Sequence, residues 1–459
     1  MKPELAGNKV AVFGLGKSGR AAIRLLQRER AEITAVDQAS AADLGETAAQ
    51  LEREGVRLCL GGEDPAGVLR AADLVVVSPG VPLALPAIES VRSAGVPVWG
   101  EVELAWRYLP SAPLVGITGT NGKSTTTALC GALFHAGGRR AFVGGNLGAP
   151  LSEAALTEET FDAYVVELSS FQLEGAETFR CTGAALLNLT PDHVDRYTSH
   201  VAYGAAKARI FRNQREGDFA VVNADDAAVL ALAGAATVPV HGFTLRAEGA
   251  RDLAGRAVAE PDGFRIESGS AAPERFQVRN RALRGAHNLQ NAMAAALLAR
   301  CCGVGAEAIQ NGLDSYPGLP HRIESVAAID GVEWVNDSKA TNVDSSLVAL
   351  KAFGGNVWLI LGGKGKGASY APLVDAALGK VKGVLTIGAD AATIERAFQG
   401  QVPVYSCGTL EGAVDGAREL AVAGDVVLLS PACASYDQFK NFEHRGETFK
   451  ALVTSRGER

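Results

Sequence analysis

The stretch Leu114-Val115-Gly116-Ile117-Thr118-Gly119-Thr120-Asn121-Gly122-Lys123-Ser124-Thr125 joins a short apolar run to glycines and then to Lys-Ser-Thr. That order predicts a buried strand, a phosphate-cradling loop and the first turn of a helix. Glycines let backbone N–H groups turn inward on an anion, and the helix start adds the positive end of its dipole. Lys123 supplies a mobile charge, and Ser124 or Thr125 offers a hydroxyl to Mg2+. This chemistry suits the phosphates of a nucleoside triphosphate. The longer phosphate-loop pattern requires glycine where this chain has Ile117, so the match is to a shortened Gly-x-x-Gly-Lys-Ser form. The alternative is a glycine-rich turn with no ligand. It leaves a lysine opposing the dipole in the first helical turn, which favours a bound anion.

A chain of 459 residues exceeds what one core usually covers, so two or three domains are expected. Charged residues make up 21% and the formal net charge is -7. That balance gives no electrostatic footprint for nucleic acid or an anionic membrane. Any anionic substrate is then held by locally placed Lys and Arg. The seven cysteines are scattered and show no Cys-x-x-Cys spacing, which fits free thiols in a reducing compartment better than a disulfide framework or a zinc site. No apolar run reaches signal-peptide or membrane-span length, so a soluble, cytoplasmic chain with no membrane span is expected.

Outward from the phosphate loop, the first block opens with the strand pattern Lys9-Val10-Ala11-Val12-Phe13, which leads into Gly14-Leu15-Gly16-Lys17-Ser18-Gly19 and a helical stretch. Asp37 follows the next apolar run. This is the dinucleotide fingerprint in its strand-turn-helix context, although the same turn can hold any diphosphate. No basic residue follows Asp37 closely, which argues against a 2'-phosphate ligand. A third run, Asp73-Leu74-Val75-Val76-Val77, ends in Ser78-Pro79-Gly80-Val81-Pro82. The block therefore reads as a small doubly wound domain.

In the central block, Phe142-Val143-Gly144-Gly145-Asn146 is a glycine turn after a short strand, and Phe161-Asp162-Ala163-Tyr164-Val165-Val166 runs an apolar strand into Glu167. A carboxylate at a strand end near a phosphate loop is where such enzymes place a Mg2+ ligand, whereas without the loop a solvent-facing Glu would be the default. His193 lies in the turn Pro191–Tyr197, and a single loop histidine is more often structural. In the helix that follows, Lys207 stands one turn from Tyr203, Ile210 and Phe211, so it lies on the apolar face. Desolvation there lowers a lysine pKa, and the neutral amine can take up carbon dioxide as a carbamate; the competing reading is a lysine that snorkels to water. Residues 215–285 read as strands and turns. Asn288 and Asn291 share one face of an Ala-rich helix, where one could be the N-cap or both could read an adenine edge.

From about residue 319 the strands Val332–Val335, Val357–Leu361, Val384–Ile387 and Val426–Leu429 deliver polar and glycine residues at their carboxyl ends, where open parallel sheets bind ligands. Arg322 and Lys366 are cations suited to carboxylates or phosphates, with a solvated loop as the alternative for each one singly. The expected fold is α/β in three domains: a Rossmann-like domain over 1–100, a P-loop ATPase-like domain with a mainly parallel sheet over 101–318, and a second Rossmann-like domain over 319–459.

The chain resembles the Mur ligase family of bacterial cell-wall synthesis over essentially its whole length. Gly119-Thr120-Asn121-Gly122-Lys123-Ser124-Thr125 is similar to the family's ATP loop, which folylpolyglutamate synthase shares. The runs Glu167–Glu174, Asp192–Tyr197, Asn336–Asn342 and especially Ser430–Phe442 resemble the branch that adds D-glutamate. The resemblance implies ATP-dependent joining of D-glutamate to UDP-N-acetylmuramoyl-L-alanine through an acyl phosphate. Lys123 would hold the ATP phosphates, Ser124 and Glu167 one Mg2+, and Glu167, His193 and carbamylated Lys207 a second. Asn288 and Asn291 would read adenine, Asp337 the ribose and Arg322 the terminal phosphate, while Thr341, Lys366, Ser435 and Phe442 would surround D-glutamate. The first domain would bind UDP rather than a dinucleotide, through Lys17, Ser18, Asp37, Ser78 and Gly80, with Asn146 near the sugar-peptide. A monomer is expected.

Besides a sibling ligase that adds another amino acid, three other readings remain in view. An NAD-dependent oxidoreductase rests on the fingerprint and Asp37 but leaves the second phosphate loop and Glu167 unexplained. A non-catalytic nucleotide-binding module would show no ATP turnover, and folylpolyglutamate synthase would not be expected to carry the 430–442 motif.

Overall fold

Lys9–Phe13, Leu74–Val77, Ala163–Glu167 and Val357–Gly362 are almost wholly buried runs of β-branched and other apolar residues. Strands covered on both faces by helices read this way, and the computed structural model of the chain pairs each of them in parallel. It describes residues 2–61, 64–193, 196–234, 236–250, 252–269 and 271–455. Among the described residues no helix is long and apolar enough to cross a membrane. The chain divides into two compact units, Met1–Gln277 with Gln290–Asp314, and Val278–Leu289 with Ser315–Arg459.

The first unit holds two sheets. One has five parallel strands in the order Arg57–Leu60, Glu32–Asp37, Lys9–Phe13, Leu74–Val77, Val98–Gly100. A Cβ on Gly19 would collide with the Gly14 carbonyl, so glycine lets the first helix pack directly on its own strand turn. The other sheet has nine strands, and its parallel part places Leu114–Thr118 between Ala163–Glu167 and Gly183–Leu186. It ends in the antiparallel strands Gly263–Ser268 and Glu274–Gln277. Within the region read from sequence as strands and turns, Ala227–Ala233 is a helix, because Asp226 caps it by accepting from the N–H groups of Ala228 and Val229. Its small residues carry little periodic signal.

Buried carboxylates tie the two sheets of this unit together. Gly100 N–H donates to the Gly175 carbonyl at 2.8 Å, and a Cβ on Gly175 would come within 2.7 Å of Gly100 Cα. Immediately after Gly100 a helix begins, Glu101–Tyr108. Glu103 is fully buried and accepts from the backbone N–H groups of Glu177, Thr178 and Phe179 at 2.9, 2.9 and 2.7 Å, with further donors in the Thr178 hydroxyl and Arg107 Nε. Glu101 Oε1 accepts from the N–H and hydroxyl of Ser152, and burial pushes its carboxyl up to about 7.

The second unit holds a six-stranded sheet in the order Glu324–Ile329, Val332–Asn336, Val426–Leu429, Val357–Gly362, Val381–Ile387, Val404–Gly408, with only the first strand antiparallel to its neighbour. Helices cover both faces, burying Leu350, Leu373 and Phe398 on one and Val414, Phe449 and Val453 on the other.

Because Glu103 satisfies several buried donors at once, Glu103→Ala should lower the stability of the first unit by about 3 kcal/mol. Urea unfolding followed by far-UV circular dichroism measures this, and an unchanged midpoint would contradict it.

Candidate active site

The strand Leu114–Thr118 is buried along its whole length and hands over to Gly119. Gly122 has the left-handed φ of 82° and starts the helix Lys123–Ala136, whose first turn has no acidic residue. Lys123 Nζ donates to the carbonyls of Gly119 and Thr120 at 3.0 and 2.8 Å. Lys207 Nζ donates to that same Gly119 carbonyl at 2.7 Å. Ser124 and Thr125 occupy the next helical positions, Thr125 buried. Asn291 Oδ1 accepts from the Thr126 hydroxyl and lies where a Cβ on Gly122 would stand, so this amide braces the loop.

Glu167 ends its strand in register with Ile117 on one side and Gly145 on the other, which sets it beside the phosphate loop. Its Oε1 accepts from Asn146 Nδ2 at 2.6 Å, while Oε2 is buried with no hydrogen-bond partner. An orphaned carboxylate oxygen at this place fits a divalent cation. Lys207 is buried, with Nζ 4.5 Å from the centre of the Tyr203 ring. Its Nζ ends on the Gly119 carbonyl and not in water, so the snorkelling alternative does not describe it, and burial, followed by the charge of Lys123, pushes the amine down to about 7. His193 has a left-handed φ of 52°, its side chain is 42% exposed, and its ring lies 4.8 Å from that of Phe171 and 6.0 Å from that of Tyr203. Val194 and Asp195 of the same turn lie outside the described residues. Among the described residues no three His, Cys, Asp or Glu side chains group as a metal site, so a cation here would need Ser124 and a modified Lys207 as well.

Lys17, Ser18, Asp37, Ser78, Gly80 and Asn146 all line one cleft of about 520 Å3. Asp37 holds the glycine turn in shape, accepting from the N–H groups of Leu15 and Ala39 at 2.7 and 2.9 Å. Ser78 donates its hydroxyl to the Gly14 carbonyl at 2.7 Å, and Lys17 Nζ donates to the Gly148 carbonyl. Gln172, which the sequence reading passed over, also faces this cleft. Asn146 lines the cleft and bonds Glu167, so the cleft wall and the carboxylate are linked through one side chain.

In the second unit, Asp337 accepts from Ser430 Oγ at 2.7 Å and from Ile323 N–H at 3.2 Å, and burial pushes its carboxyl up to about 7. Arg322 Nε is buried without a hydrogen-bond partner. Beside it His287 is pushed down to about 4, by burial first and by the Arg322 charge second. Asn288 Nδ2 donates to the Arg284 carbonyl at 3.1 Å. Lys366 is exposed on the loop after Val357–Gly362, Ser435 is buried, and Thr341 and Phe442 are half-buried. Phe442 begins the helix Phe442–Ser455 and lies 5.7 Å beneath Lys339 Nζ.

Three family models match the chain: the Mur ligase MurD-like N-terminal domain over 8–100, the Mur ligase middle domain over 117–299, and the Mur ligase glutamate ligase domain over 321–433. A protein from Myxococcus xanthus (strain DK1622) named UDP-N-acetylmuramoylalanine--D-glutamate ligase is 64% identical, covering 98% of each chain. The chain belongs to the Mur ligase family. A second relative of the same name, from Anaeromyxobacter dehalogenans (strain 2CP-C), is 57% identical and again covers 98% of both chains. Among solved structures, the MurF ligase from Thermotoga maritima in complex with ADP shares the fold, with a TM-score of 0.60 at 17% identity over 99% of this chain and 96% of that one.

Two further residues of this Mur ligase escaped the sequence reading. Asn188 lies two residues after the buried strand Gly183–Leu186, and its Oδ1 accepts from the N–H groups of Thr120 and Asn121 at 3.1 and 2.8 Å while Nδ2 donates to the Asn121 carbonyl at 3.0 Å. It shapes the phosphate loop from the neighbouring strand. Arg445 is fully buried in the last helix and donates to the Ser338 hydroxyl and carbonyl at 3.0 and 2.8 Å and to the Cys433 carbonyl at 3.1 Å. Burial pushes its guanidinium down to about 10. It pins the Ser430–Ser435 loop to the Asn336–Asn342 loop. A polar residue closing an apolar run was the only signal for Asn188, and nothing in sequence separates Arg445 from a surface arginine.

Proposed function

We propose that this Mur ligase is an ATP-dependent acid–D-amino-acid ligase that joins D-glutamate to UDP-N-acetylmuramoyl-L-alanine in peptidoglycan precursor synthesis. The observation that carries the chemistry is the convergence of Lys123 and Lys207 on the Gly119 carbonyl. The orphaned Glu167 Oε2 lies in the strand alongside. The choice of D-glutamate rests on relatives that carry that name and match end to end. We assign the chain to the cytoplasm as a monomer, organised as UDP-substrate, ATP and amino-acid domains over 1–100, 101–318 and 319–459.

A carboxylate is a poor electrophile, so the reaction begins with attack of the L-alanine carboxylate oxygen on the γ-phosphorus. The bond to the β-bridging oxygen breaks and ADP leaves. The D-glutamate amine then attacks the acyl carbon, and the tetrahedral centre collapses to the amide with loss of phosphate and an amine proton. Catalysis of such steps is positioning and charge neutralisation. Lys123 leaves its loop carbonyls for the ATP phosphates, which the Gly119–Thr125 backbone cradles. By the family resemblance, Arg322 would serve the terminal phosphate, Asn288 and Asn291 the adenine and Asp337 the ribose. Lys17, Ser18, Asp37, Ser78 and Gly80 hold the uridine diphosphate, Asn146 orients the sugar-peptide, and Thr341, Lys366, Ser435 and Phe442 seat D-glutamate. Ser124 and Glu167 would hold one Mg2+, and Glu167, His193 and carbamylated Lys207 a second. When bound, Mg2+ would neutralise the phosphate and acyl oxygens. The carbamate forms by attack of the neutral Lys207 Nζ on carbon dioxide with loss of one proton, turning a buried amine into an anionic ligand.

Phosphate release in the presence of UDP-N-acetylmuramoyl-L-alanine and Mg2+ should depend on D-glutamate and be absent with L-glutamate, D-alanine, L-lysine or meso-diaminopimelate. Release with a different acceptor would overturn the assignment of the third domain, and no release with any would favour a non-catalytic module. Lys207→Ala should lower turnover by about 100-fold or more and regain part of it with added acetate or propionate. Because the Lys207 amine is neutral above about pH 7, uptake of 13C-labelled bicarbonate should increase as pH rises through that value and be lost in the variant. A wild-type 13C spectrum without a carbamate signal at pH 8 would remove Lys207 from the mechanism.

A further inference from the structure

Arg196 closes the turn that carries His193, and its side chain is only 14% exposed. The guanidinium lies over the Phe171 ring at 4.2 Å and pairs with Glu174 at 2.8 Å. Its remaining N–H groups point toward the first sheet. Nη1 donates to the Pro79 carbonyl at 3.3 Å and Nη2 reaches the Val81 carbonyl at 3.5 Å. Those carbonyls flank Gly80 in the turn that walls the 520 Å3 cleft. On the other side, the Phe171 ring supports the His193 ring at 4.8 Å and stacks with Tyr197 at 6.0 Å.

One planar cation therefore touches both the wall of the cleft and the aromatic stack that seats His193. Arginine suits this place because its rigid fork serves an ion pair, two carbonyls and a ring face at once, which the point charge of lysine cannot do. An exposed ion pair would contribute little, but this one is enclosed by the ring and by the turn it holds. A displacement of about 1 Å between reacting groups costs about 100-fold in rate. Rigid linkage between the cleft and the phosphoryl-transfer centre thus has a direct catalytic consequence.

We infer that Arg196 is a positioning residue that locks the cleft turn Ser78–Pro82 to the His193 loop, so that a substrate seated by its diphosphate presents its carboxylate in one geometry. The inference rests on the function proposed above. Its contacts are with Pro79, Val81, Glu174 and Phe171, and it acts through them.

The test compares full-length wild type with Arg196→Ala and Arg196→Lys, varying each of the three substrates in turn. Arg196→Ala should lower kcat/KM for UDP-N-acetylmuramoyl-L-alanine by about 100-fold, leaving KM for ATP and D-glutamate within about twofold. Arg196→Lys keeps the ion pair without the fork and should stay closer to Ala than to wild type. Binding of UDP alone, measured by calorimetry, should change by less than about threefold, because the cleft lining itself is intact. Wild-type kinetics in both variants would overturn the inference, as would a uniform loss for all three substrates accompanied by a lowered melting temperature. Absence of D-glutamate-dependent turnover in the wild-type enzyme is a separate outcome, and it would overturn the functional reading itself.

Discussion

Two lysine amino groups share one carbonyl oxygen, that of Gly119, and the geometry of the central sheet follows from the need to bring them there. Lys123 arrives from the helix that the loop starts, and Lys207 arrives from a helix 84 positions further along, where burial and the neighbouring positive charge keep its amine near neutrality. Three adjacent parallel strands set the surroundings. The middle one ends at Thr118 and leads into Gly119, one neighbour ends at Glu167, and the other leads to Asn188. Parallel strands put their carboxyl ends on one side of a sheet, so residues far apart in sequence meet at one edge. The Gly119 and Thr120 carbonyls hold Lys123, and the Gly119 carbonyl also holds Lys207.

The second constraint is stiffness within the first unit. Glu101 and Glu103 bury carboxylates at the start of one helix and use them to hold the Ser152 and Glu177–Phe179 backbones. Buried charge is costly unless satisfied, and Glu103 is satisfied many times over. The closely approaching Gly100 and Gly175 leave no room for a sliding joint. A cleft on the first sheet is thereby held at a fixed distance from a phosphate loop on the second, which suits a reaction whose rate depends on placing a carboxylate against a phosphorus atom.

What sequence made legible were features whose chemistry is local. Glycines before Lys-Ser-Thr, an acid closing an apolar run, and a lysine at the apolar spacing of a helix each carry their reason within a few residues, and the structure places Gly119, Glu167 and Lys207 together. The parallel sheets were legible for the same reason, since runs such as Val357–Gly362 are apolar without alternation. Less legible were groups whose partners are distant. Asn188, Arg196, Glu103 and Arg445 look in sequence like ordinary polar residues, and their roles exist only once another segment supplies the facing backbone. Asp37 and Asn291 show the converse, because each was expected to face a ligand and each also holds a glycine turn in shape, Asp37 the one before the first helix and Asn291 the phosphate loop. Position near a ligand and direct contact with it are different properties, and spacing reveals only the first.

The central claim is that the L-alanine carboxylate is activated as an acyl phosphate before any amine arrives. The most direct measurement is reduction with borohydride of a mixture of enzyme, Mg2+, ATP and UDP-N-acetylmuramoyl-L-alanine from which D-glutamate is withheld. An acyl phosphate is reduced to the alcohol under conditions that spare a free carboxylate, so the account predicts recovery of the alaninol form of the sugar nucleotide, dependent on ATP. Recovery of unreduced substrate alone, from enzyme that turns over once D-glutamate is added, would contradict it.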